Sequence, residues 1–163
     1  MKKLIIISLI LSLVGCKALV KSADDFTNLV AINNEVSSGN VSAIINSVEL
    51  NNVDQQVLTH SINYFNAFAY KWKNIKELDA TTEEFTRFQY EYLELKTQYF
   101  LVNNIVIKNW HLYTPQNQDL LKQYRNQAEQ ANNTFDNLKA KGTRIQMIYA
   151  GAMVAKVLIG ILK

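Results

Sequence analysis

The sequence predicts an all-α protein: an elongated antiparallel bundle of three long helices, preceded by short N-terminal helices and followed by an apolar C-terminal helix. Three observations carry that expectation. Between Val53 and Leu138 the chain has no glycine and a single proline, Pro115. Two long stretches in that interval place apolar residues at alternating spacings of three and four, the rhythm of a helix packed along a near-parallel neighbour. Turn residues fall between those stretches, where helices must end. At 163 residues, 48% hydrophobic and 19% charged, the chain suits one modest domain and is too apolar for wholesale disorder.

Residues 1–15 read as a signal peptide: Lys2-Lys3, then an apolar run from Leu4 to Val14, then Gly15 before Cys16. The run is too short for a bilayer-spanning helix of about twenty residues. Leu13-Val14-Gly15-Cys16 resembles the lipobox of bacterial lipoproteins. The resemblance covers the first sixteen residues and implies cleavage between Gly15 and Cys16. It also implies a diacylglycerol and an N-acyl chain on Cys16, and a mature chain of 148 residues. Lys17 after the cysteine implies, by the enterobacterial sorting rule, the periplasmic face of the outer membrane. Several acyl chains anchor a protein stably, at about 0.8 kcal/mol per buried methylene, so attachment needs no help from the rest of the chain.

Residues 16–52 form a lipidated segment with short helices. Ser22 with Asp25 starts a capping signal, followed by Phe26, Leu29, Val30 and Ile32, which predicts a helix over 23–37 ending at Gly39. A second short helix is expected within 41–50. The bundle itself, 53–142, opens with a helix over 53–78, whose apolar positions include Val57, Phe65, Phe68, Trp72 and Ile75. Thr81 or Thr82 caps the next, with Glu83 and Glu84 at the positive end of its dipole. Its stripe is Phe85, Phe88, Tyr92, Leu95, Tyr99, Val102 and Val106, and it is expected to run to Tyr113. Thr114-Pro115 marks a stop and restart. Leu121, Tyr124, Ala128, Ala131, Phe135 and Leu138 continue the rhythm toward Gly142, making an antiparallel hairpin with helix 53–78 as a third strut.

Residues 143–163 form an apolar C-terminal helix whose run from Ile145 to Leu162 is apolar on nearly every side, with Gln146 and Lys156 as the exceptions before the terminal Lys163. Three roles fit: a buried core helix or oligomer interface, a transmembrane helix, or a helix lying in a membrane interface. Gly151 and Ala155 supply the small-xxx-small spacing used between membrane helices. In a membrane role the contacts would be Ile145, Met147, Ile148, Met153, Val154, Val157, Leu158, Ile161 and Leu162. The positive-inside rule opposes spanning, because Lys139, Lys141 and Arg144 would remain on the periplasmic side. Residues 139–163 carry net charge +5 and residues 16–138 net −4, so the tail is the basic end, suited to anionic lipid.

No residue constellation names a reaction. Two histidines and one cysteine are too few for a structural zinc site, and no HExxH, GxSxG or phosphate loop occurs. His60 and His111 lack the preceding glutamate of a di-metal bundle. Glu84, Glu91 and Glu94 share one helix with Arg87 and Lys96, which reads as surface ion pairing. The expectation is therefore a non-enzymatic envelope lipoprotein with no cofactor, acting as a helical adaptor or tether through protein, membrane or self-contacts and not through nucleic acid. In layout alone, a lipid anchor at one end and an apolar segment at the other resemble the single-chain spanins of bacteriophages, which implies fusion of outer and inner membranes during lysis. A receptor-blocking or immunity-type lipoprotein is a third class.

Overall fold

The computed structural model describes residues 27–28, 31–32, 41–76, 79–139 and 142–162. The signal peptide, Cys16 and most of the helix expected over 23–37 lie outside the described residues, although 27–28 and 31–32 are helical. A short helix α1 (Val41–Ile45) leads into four long ones: α2 (Asn52–Trp72), α3 (Thr82–Lys108), α4 (Pro115–Lys139) and α5 (Arg144–Leu162). A 3₁₀ turn, Trp110–Leu112, joins α3 to α4.

Local chemistry sets the helix starts. Asn51 caps α2, its Oδ1 accepting from Asp54 N at 2.9 Å while its Nδ2 donates to Asp54 Oδ2 at 2.8 Å. Thr81 caps α3 by accepting from Glu84 N at 3.2 Å. Pro115 opens α4, where its missing N–H costs nothing. Thr143 and Gln146 form a reciprocal capping box before α5, with Thr143 N donating to Gln146 Oε1 at 2.9 Å and Gln146 N to Thr143 Oγ1 at 3.4 Å.

The long helices run up, down, up and down, and α5 packs against α1, α2, α3 and α4. That placement buries most of the tail within the bundle. Met147, Ile148, Ala150, Ala152, Val154, Ala155, Val157, Leu158 and Ile159 are all buried in the core, while Lys156 is exposed. Among the described residues no helix is long and apolar enough to cross a membrane. Helix α2 packs on α3 and α5 instead of entering a seam between α3 and α4, while α5 lies between α2 and α4 and touches α3 more lightly. The near-absence of polar residues around it follows from having neighbours on most sides.

Two helices end earlier than their apolar spacing implies. Helix α2 stops at Trp72 rather than running to 78, because Ile75 turns in against the core and its carbonyl accepts from Tyr149 Oη at 2.7 Å. Helix α3 stops at Lys108 rather than Tyr113, where Asn109 Nδ2 donates to the carbonyl of Ile105 at 2.8 Å. An asparagine that takes its own helix's carbonyl offers the backbone an alternative to another turn. Helix α1 likewise covers only half of 41–50, and Ile45 buries against the lower end of the bundle beneath Tyr113.

Polar contacts fix the register of α2 on α3. Ser61 Oγ donates to Gln98 Oε1 at 2.9 Å in the buried interface, and Gln98 Nε2 donates to Glu94 Oε1 at 2.7 Å. At the lower end Lys108 Nζ sits 2.9 Å from Asp54 Oδ2. The hydrogen bond from Lys108 is the main cause holding the Asp54 carboxyl below its usual value of 3.8, with Asn109, the Lys108 charge and Asn51 acting the same way against the opposing effect of burial. A carboxylate depressed by folding stabilises the fold above its unfolded pKa, and that contribution is lost as pH falls through the lower folded value. Asp54→Asn is therefore expected to lower stability at neutral pH and to flatten its decline below about pH 4. Urea melts at pH 7 and pH 3 check this: the mutant penalty must shrink at the lower pH.

Candidate interaction surface

Helix α3 carries two stripes. The inner one is that read from the sequence: Phe88, Tyr92, Leu95, Val102 and Val106 are buried, and Phe85 and Tyr99 half-buried. On the opposite side of the same helix stand Tyr90, Leu93, Phe100 and Ile107, exposed to 73%, 63%, 62% and 53%, with Leu101 beside them. Thr97 and Asn104, also exposed, complete the row. Positions 90, 93, 97, 100, 104 and 107 step by three and four, the seam of a two-helix interface. None of the other described helices covers it.

Next to the lower end of this row, α3 and α4 open into a cavity of about 280 Å³ lined by Asn103, Val106, Ile107, Trp110, Leu121, Lys122 and Arg125. Its floor is apolar. The two cations at its rim are already engaged, Lys122 with Asp119 at 3.0 Å and Arg125 with Glu129 at 2.9 Å. Ile107 belongs to both the cavity and the exposed row.

The upper end is an aromatic cluster serving the core. Tyr92 stacks on Phe135 at 3.9 Å between centroids, and Trp72 meets Phe88 edge-on at 5.4 Å. Tyr92 Oη donates to Asn132 Oδ1 at 3.0 Å, and burial, aided by the Asp136 charge, pushes its pKa well above the ordinary tyrosine value. These side chains bridge α3 to α4 across a wide edge. Gly151 lies under the Phe88 ring, where a Cβ would stand 2.6 Å from Cζ and 2.7 Å from Cε2. Gly151 of α5 thus admits aromatic rings from α3.

The acidic residues named from sequence do not converge on a reaction centre. Glu91 pairs with Lys71 of α2, and its Oε2 accepts from the Trp72 indole N–H at 2.8 Å. Glu84 pairs with Arg87 at 2.9 Å, and Glu94 takes the Gln98 amide. Lys96 reaches Asp136 of α4 at 3.2 Å instead of a glutamate on its own helix. His60 and His111 are exposed at different levels of the bundle. Among the described residues no group of histidine, cysteine, aspartate or glutamate is arranged to hold a metal ion.

Of the residues named for membrane contact, Met147, Ile148, Val154, Val157 and Leu158 are buried and Ile145 and Met153 half-buried. The side chains of Ile161 and Leu162, with Gly15 and Cys16, lie outside the described residues. The exposed face of α3 was missed by sequence reasoning, though its signal was present. A second three-four row, offset from the first, runs through the same helix. Comparison with known proteins finds no family model, characterised protein or solved structure that matches the chain.

Proposed function

We propose that the protein is a non-enzymatic envelope lipoprotein, held by lipid on Cys16 at the periplasmic face of the outer membrane, and that its helical bundle acts as an adaptor through protein contacts. The observation that carries this reading is the exposed apolar row of α3, with Tyr90, Leu93, Phe100 and Ile107 all more than half exposed. A row of that length on a monomer's surface marks an interaction site. Burial of α5 supports a single anchor. A bridge between two membranes would need α5 outside the bundle, leaving the apolar faces of α2, α3 and α4 open to water.

Lipid labelling tests the anchor, and extraction tests its uniqueness. Cys16→Ser is expected to abolish incorporation of labelled fatty acid. Residues 17–163, exported behind a cleavable signal without a lipidation cysteine, are expected in the carbonate-soluble fraction, while the native chain stays in the pellet. Retention of the unlipidated chain in carbonate-washed membranes would mean a second anchor and overturn the single-anchor reading.

A further inference from the structure

We infer that the exposed face of α3 pairs with the same face of a second copy of this chain, the two α3 helices lying parallel. The inference rests on the adaptor reading and names its first partner. Three features select a second copy in this orientation.

The first is spacing. Tyr90, Leu93, Thr97, Phe100, Asn104 and Ile107 alternate steps of three and four over nearly five turns, as in a two-stranded seam. All six are exposed. The second is area. Tyr90, Leu93, Phe100, Leu101 and Ile107 together present on the order of 500 Å² of side chain, so a symmetric pair removes about 1,000 Å² before its flanks are counted. Gln89, Glu94 and the Lys96 stem bring the total toward the 1,200–2,000 Å² of a stable interface.

The third feature is the order of layers, which decides direction. In the parallel arrangement each residue meets its own counterpart, so Leu93, Phe100 and Ile107 form apolar layers and Thr97 and Asn104 form polar ones. Asn104 then hydrogen-bonds the second Asn104, the device by which a single buried asparagine fixes register and strand number. An antiparallel pair places Asn104 against Leu93 and Thr97 against Phe100, leaving polar groups buried without partners. The flanks agree with this choice. Parallel packing sets Gln89 beside Glu94, Lys96 beside Leu101 and Asn103 beside Lys108 across the interface, with no like charges facing.

Cysteine cross-linking of the full chain in bacterial membranes tests both the partner and the direction. Leu93→Cys, Phe100→Cys and Ile107→Cys are made singly at exposed positions where folding does not depend on the side chain. Asn126→Cys, exposed on α4, serves as the control. Copper-catalysed oxidation is expected to convert most of each α3 variant to a disulfide dimer and leave the control monomeric. Adding Phe100→Asp to Leu93→Cys is expected to cut the dimer at least tenfold. Self-linking at Phe100→Cys with none at Leu93→Cys or Ile107→Cys overturns the parallel direction. Cross-links only to other proteins overturn the second copy as partner while leaving the adaptor reading intact. No cross-link at any α3 position overturns the second copy as partner.

Discussion

A chain ending at Gly142 is expected to lose its cooperative fold, not merely its last helix. Six large apolar side chains of α5, those of Met147, Ile148, Val154, Val157, Leu158 and Ile159, are buried to within a few per cent of completely. At about 1.5–3 kcal/mol each, their burial contributes on the order of 10 kcal/mol. A whole domain is stable by only about 5–15 kcal/mol. Removal also uncovers the faces of α2 and α4 that pack on α5. The measurement is thermal unfolding by circular dichroism with near-ultraviolet detection. The full chain is expected to give a single sigmoidal transition in both signals. The truncated chain is expected to retain some helix but no near-ultraviolet signal and no transition. A truncated chain that unfolds cooperatively would show that α5 is dispensable to the core and free for another role.

The second expected result concerns Gly151. Alanine in the middle of a helix is ordinarily worth about 1 kcal/mol more than glycine, so Gly151→Ala would stabilise an unconstrained helix. Here the sign reverses. The added methyl group meets the Phe88 ring at 2.6 Å, and that ring is enclosed by Phe68, Trp72, Phe85, Tyr92 and Phe135 with centroids 5.4–6.1 Å away. It has nowhere to move without disturbing a second ring. Overpacking of this kind costs about 1–3 kcal/mol. Gly151→Ala should therefore lower the melting temperature by several degrees, and Gly151→Leu by more. Phe88→Leu should destabilise the parent on its own account and cost less in the Gly151→Ala background, because the smaller side chain makes room for the methyl group. A coupling of about 1 kcal/mol or more between the two sites is expected. Additive effects would mean that the ring does not rest on the glycine.

How much of this was legible in the sequence varies with the kind of residue that decides each feature. The buried stripes of α3 and α4 were plain, because apolar residues at three-four spacing have one common physical cause. The start of α3 was plain for a similar reason: Thr81, Glu83 and Glu84 act within a single turn. Features fixed by distant residues were not legible. The end of α2 depends on Tyr149, 74 positions further along than Ile75. The ion pairs of Glu91 and Lys96 reach other helices, and nothing in the spacing along α3 points to Lys71 or Asp136. The tail was ambiguous for a deeper reason. A helix enclosed by protein and a helix enclosed by lipid both shed polar residues, so composition alone does not separate them. Lys156 carried a partial answer, since its exposure marks the one side of α5 that no neighbour covers at that level. The outer row of α3 was hidden by the stronger row behind it.

The position of α5 also governs when the protein can fold. The helix at the centre follows, in the chain, every helix that packs around it. Until its residues emerge, α2 and α3 can pair with each other, but the faces of α2 and α4 that pack on α5 have nothing to close on, and hairpins alone are poor stores of stability. A nascent chain of this design completes its core only when synthesis has passed residue 160 or so. The last helix to be made is the one that closes the bundle.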